Sequence, residues 1–253
     1  MFSLRPKLPV SDDERLWVDE GFRRLGHMLG SRRLLDAPII LPTDEFFPDP
    51  YHKGLDGMRA LFGRVCKYMD VDPARVDLEI IPDDSELREL LPAYDFSSSG
   101  AAGLHHGESH RERALIAIKQ SQLADPLCLI AVLAHELGHV VLLDDGRMDR
   151  DVPDMEPMTD LVTVFLGMGI FTANAARRFT QHQDNFKQGW SMSHLGYLPE
   201  PMFGYALALF AHERGEMRPP WTGHLNTNIR TWFRQSAAWL QKQKNLEPVP
   251  PSR

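Results

Sequence analysis

Cysteine is scarce: two residues, Cys66 and Cys128, in a chain of 253. That excludes a disulfide framework, and both fall in apolar helical surroundings that read as buried thiols of a reducing compartment. Positive charge is not in excess either. Lys and Arg number 28 against 35 Asp and Glu, a net charge of −7. With a pI near 5.9 and no Lys/Arg-rich stripe, a nucleic-acid partner is not expected. The short basic cluster Arg23, Arg24, Arg32 and Arg33 reads as a solvated face around a helix end. Two apolar stretches stand out, yet neither is an uninterrupted run of about 20 residues, the length a bilayer requires. Residues 123–143 contain Asp125, His135, Glu136 and His139, and residues 161–176 contain Thr163, Thr172 and Asn174. Both are expected as core helices, with no membrane partner. The N-terminus lacks an apolar signal-like region, so a cytoplasmic location is expected. Nothing in the sequence sets an oligomeric state.

What is present is a compact group of metal-ligand residue types. Residues 133–139 read LAHELGH. His135 and His139 are four apart, so in a helix they lie one turn apart on one face and can grip one ion. Glu136 between them can reach a water there. Chance alone produces this spacing in roughly a few per cent of chains so rich in histidine, so its setting decides. The setting is a helix. Residues 126–143 (PLCLIAVLAHELGHVVLL) follow Asp125, a good N-cap, with Pro126 at the first helical position. Asp144, Asp145 and Gly146 supply a stop. Two imidazoles and a carboxylate on so apolar a helix are costly unless paired or metal-bound.

A zinc ion needs a further protein ligand, and three arrangements are open. A metzincin-like pattern would place Gly and His where Leu142 and Asp145 stand. Asp145 could ligate, but Leu142 provides no sharp turn. A second arrangement uses Glu156 and Asp160, four apart at the start of the helix after Pro157. One carboxylate would bind metal and the other would accept the spare N–H of a ligating histidine. A third draws Asp151 or Asp154 from the acidic loop.

The pair of motifs, H-E-x-x-H followed by E-x-x-x-D, resembles the gluzincin class of zinc metallopeptidases over residues 131–160. The resemblance implies zinc held by His135, His139 and Glu156, with Glu136 as general base and Asp160 orienting a histidine. It implies peptide-bond hydrolysis in a peptide or protein substrate. Such enzymes place a His or Tyr from further along the chain near the oxyanion. The candidates are His194, Tyr197, Tyr205 and His212, with Tyr197 and Tyr205 favoured because residues 196–205 join a loop to a helix. The alternative is a non-catalytic zinc-binding regulatory protein that keeps the same fold. Glu136 favours catalysis, since a purely structural site has no use for a carboxylate beside its ligands.

The rest of the chain sets an α+β expectation. A capping box at residues 11–14 opens a first helix carrying Leu16, Trp17, Phe22, Leu25 and Leu29. Residues 37–41 (APIIL) suggest a short strand, and residues 54–69 a second helix. Residues 76–81 and 114–120 read as strands by alternation. Residues 100–110 carry His105, His106 and His110 and read as an exposed loop rather than a second metal site. Later helices are expected at 158–174, 175–184, 201–214 and 226–244. The expected architecture is one domain over residues 1–246: a small antiparallel sheet packed on a zincin-like active-site helix, within an α/β part of about 1–125, then a mostly helical half over 126–246. Residues 247–253 are expected to be a disordered tail.

Overall fold

The computed structural model describes residues 7–83, 103–105, 113–143, 146–183 and 198–244. The expected tail and Tyr197 lie outside them. Among the described residues the protein is mostly helical, with a small sheet in its N-terminal half.

Helix α1 (Asp12–Leu29) starts at the expected capping box: the Ser11 hydroxyl accepts from the Glu14 N–H, and the Glu14 carboxylate accepts from the Ser11 N–H. It buries Val18, Gly21, Phe22 and Leu25. A short helix α2 (Ser31–Asp36) follows, then α3 (Leu55–Met69), whose face of Met58, Leu61, Phe62, Val65 and Met69 is buried. Each such fully buried side chain stabilises the fold by about 1.5–3 kcal/mol before entropy is counted.

The sheet departs from expectation. Strands β1 (Val76–Ile81), β2 (Gly103–His105) and β3 (Ala114–Lys119) lie in the order β1-β3-β2. The two long strands β1 and β3 are parallel, pairing Val76 with Ala114 through Ile81 with Lys119. Only the three-residue β2 runs antiparallel to β3. The expected all-antiparallel sheet is therefore corrected. More than thirty residues separate β1 from β3, ample for the crossover that a parallel pair requires. Part of the presumed loop at 100–110 is strand β2.

Helix α4 (Pro126–Leu143) has the bounds its sequence implies, and the Asp125 side chain accepts from the Leu127 and Cys128 N–H groups at its start. It is long and apolar enough by composition to cross a membrane, yet 78 % of its span is buried within the fold. Every residue from Leu129 to Leu142 is buried, as befits a helix apolar all round. Around it pack α3, β2, α5 (Met155–Phe165) and α6 (Gly169–Gln183). Helix α7 (Glu200–Glu213) pairs with α8 (Thr227–Lys244) and also touches α1, α5 and α6. One contiguous apolar core runs from Val10 to Leu240.

The boundary between α5 and α6 falls at residues 166–168, not at 174–175 as expected. Gly167 has φ +87°, and a Cβ there would lie 2.1 Å from the Pro38 carbonyl oxygen. Only glycine permits that approach. It lets Ile40 donate its N–H to Gly167 O at 3.0 Å. The segment 37–41 is thus an extended stretch docked on this turn, and the expected strand does not form. Neither cysteine is in a disulfide; Cys66 is buried, its thiol pushed up to about 12 by that burial, whereas Cys128 is only partly covered.

Candidate metal centre

The centre is built where α4 and α5 touch. Contact begins with Gly138: a Cβ there would meet Thr159 Cγ2 at 2.9 Å, Thr159 O at 3.1 Å and Val162 Cγ1 at 3.2 Å. The missing side chain lets the start of α5 lie directly against the histidine-bearing face of α4. Glu156, Thr159 and Asp160 are spaced i, i+3 and i+4, so all three project from one face of α5.

His135 sits between two carboxylates. Its Nδ1 is 2.9 Å from Asp160 Oδ1, and its Nε2 is 3.0 Å from Glu156 Oε2. The same Glu156 oxygen is 3.5 Å from His139 Nε2. Ligand atoms of His135, His139 and Glu156 all lie within 4.8 Å of one another, the one such cluster among the described residues. The imidazole rings are 5.0 Å apart at 84°. The second oxygen of Asp160 accepts the Leu198 N–H at 2.8 Å, tying the centre to the approach to α7. His135 and Glu136 are each 2 % exposed and His139 8 %, whereas the Glu156 side chain is 40 % exposed. The centre therefore opens to solvent on the Glu156 side.

Electrostatics follow from that packing. Burial works to lower the His135 pKa, but the Asp160 charge and hydrogen bonds to Asp160 and Glu156 outweigh it and raise the value to about 10. Partial burial works to raise the Glu156 carboxyl; its contacts with the His135 and His139 imidazoles prevail and hold it well below the usual carboxylate range. Glu136 is raised, first by burial and further by the Glu156 charge, against the pull of the two histidines. In the metal-free protein His135 and Glu156 thus form an ion pair.

The donor set fits zinc. Two imidazoles and one carboxylate match a site that leaves a fourth position open. Each Nδ1 faces an oxygen, of Asp160 or of Thr159, and each Nε2 faces the same Glu156 oxygen. His135, His139 and Glu156 would hold the ion through these facing atoms.

Other candidates stand elsewhere. The Asp154 carboxylate accepts from Trp17 Nε1 at 3.3 Å and faces Arg24 at 3.7 Å, both on α1, so it is engaged away from the histidines. Asp151 Cα lies in the loop before α5, its N–H donating to Asp149 Oδ1. Asp145, His194 and Tyr197 lie outside the described residues. Tyr205 is 1 % exposed, and its hydroxyl donates to Asp19 Oδ1 at 2.7 Å. Burial, then the Asp19 carboxylate, push its pKa up. The Tyr205 hydroxyl, favoured by its place in the sequence, is thus bonded to α1 in this structure. His212 stands in the last turn of α7. Sequence reasoning missed Thr159 and Gly138. The signal for Thr159 was available, since it shares the Glu156–Asp160 face of α5.

No protein-family model, curated protein or solved structure matches the chain.

Proposed function

We propose that this protein is a zinc-dependent metallopeptidase of the gluzincin type. The observation that supports it most is the convergence of His135, His139 and Glu156 ligand atoms beside the buried carboxylate of Glu136. Three donors converge among the described residues, and three protein donors are the pattern of a catalytic zinc site. A bound zinc ion would supply a Lewis acid able to polarise a substrate carbonyl.

The chain's own groups supply the rest. Glu136, its carboxyl raised by burial, is a better proton acceptor than an exposed glutamate. It takes a proton from the attacking water at its carboxylate and returns it to the leaving amine nitrogen. His135 and His139 are held in place by Asp160 and Thr159, and Glu156 completes the set. A peptide or protein substrate approaches from the Glu156 side, where the centre meets solvent. This reading needs no nucleic-acid or membrane partner and suits a cytoplasmic enzyme.

The test is Glu136→Gln. It keeps the size of the side chain and removes the base. Zinc retention should match wild type, while cleavage of a fluorogenic peptide library falls by about 10²–10⁴-fold. A variant that cleaves as fast as wild type would show that Glu136 is not the base.

A further inference from the structure

Thr159 belongs to neither of the two motifs, yet it is fully buried at the centre. Its hydroxyl has one proton and two neighbours. Met155 O lies at 2.8 Å and His139 Nδ1 at 3.2 Å. A carbonyl oxygen can only accept, so the Thr159 proton goes to Met155 O. The hydroxyl oxygen then serves as acceptor for His139, and the hydrogen of that contact sits on Nδ1. The lone pair of His139 is left on Nε2, the nitrogen that faces Glu156 Oε2.

The same logic applies one residue on. Asp160 Oδ1 accepts from His135 Nδ1, leaving Nε2 of that ring towards Glu156. Once His135 gives up its second proton, consecutive residues of α5 would hold both rings of α4 in the same Nδ1–H tautomer. The Thr159 methyl has a separate role, since it packs where a Gly138 Cβ would be, 2.9 Å away.

We infer that Thr159 is a positioning residue: its hydroxyl holds His139 in the Nδ1–H tautomer and presents Nε2 to a zinc ion. This rests on the metal reading above. Hydrogen-bond partners of metal-bound histidines fix ring orientation and basicity, and losing one typically costs 10–100-fold in metal affinity.

Two variants separate hydroxyl from shape. Thr159→Val keeps the branched packing and removes the acceptor; Thr159→Ser keeps the hydroxyl and removes the methyl. Zinc dissociation constants are measured by competition with a chromophoric chelator. Histidine tautomers are read by ¹⁵N–¹H correlation spectra of the imidazole rings, metal-free and zinc-loaded. The expected result is a roughly 10–100-fold weaker zinc complex for Thr159→Val, with a mixed tautomer signature at His139 in the metal-free variant. Thr159→Ser should stay within about threefold of wild type and keep the Nδ1–H signature, since the hydroxyl contact survives. Equal weakening in both variants would make the role one of packing and overturn the inference. So would a zinc-loaded wild-type spectrum in which His139 binds through Nδ1, a result that needs no variant. If wild type and Thr159→Val bind zinc equally, Thr159 alone is refuted; if wild type binds none, the metal reading falls as well.

Discussion

Loading this centre with zinc should expel a proton from His135. In the metal-free protein that ring is protonated at neutral pH, its pKa raised to about 10 because Asp160 and Glu156 outweigh the effect of burial. Ligation through Nε2 needs the neutral ring. At pH 7 the proton must therefore leave against a gap of about three pH units. At about 1.36 kcal/mol per unit this amounts to ~4 kcal/mol, or roughly a thousandfold in apparent zinc affinity. Because the raised value lies above the working range, affinity climbs with pH, by about tenfold per unit for one released proton. Calorimetric titration with zinc at pH 6.5 in two buffers of different ionisation enthalpy counts those protons. The expected count is at least about one per zinc bound. Zinc binding with no proton released, and an affinity flat from pH 6.5 to 7.5, would refute the ion pair between His135 and Glu156.

Two further substitutions probe the helix contact and the scaffold. Gly138→Ala places a methyl group 2.9 Å from Thr159 Cγ2, so α5 must shift by a few tenths of an ångström. Helix propensity gains about 1 kcal/mol and overpacking costs about 1–3, leaving the urea midpoint nearly unchanged or modestly lowered. Zinc affinity should fall severalfold because the ligands sit on different helices, and an unchanged affinity would contradict the role given to Gly138. Arg214 donates through Nη1 to the carbonyls of Leu34, Leu35 and Ala37, and through Nε to Glu216. Arg214→Met strips the end of α2 of these charged donors and should cost about 2–3 kcal/mol in urea denaturation, with zinc affinity unaltered. A loss below about 0.5 kcal/mol would place the anchoring of α2 elsewhere.

The parts of the fold that were legible in the sequence are those with local causes. The capping box at Ser11 and Glu14 and the Asp125-Pro126 start fixed where α1 and α4 begin. Alternation placed β1 to the residue. Strand direction was not legible, because β1 and β3 choose one another across more than thirty residues and no local pattern records that choice. The α5–α6 break at Gly167 was hidden for a similar reason: it depends on the Pro38 carbonyl, a contact distant in sequence. At the centre, spacing alone brought His135, His139, Glu156 and Asp160 together on paper, and the structure places them within bonding reach. Asp154, an alternative ligand from the acidic loop, is held by Trp17 and Arg24. The bond from the Tyr205 hydroxyl to Asp19 on α1 was not legible either, because the two residues lie far apart in sequence.

The central claim is that His135, His139 and Glu156 hold one zinc ion. Elemental analysis of wild-type protein purified without added metal, beside Glu156→Ala, tests it directly. The account predicts about one zinc per chain in wild type, given a three-ligand site, and a much reduced content in the variant. No zinc in wild type, even after reconstitution, would make the two histidines a buried, ion-paired feature of the core and remove the proposed hydrolase with them.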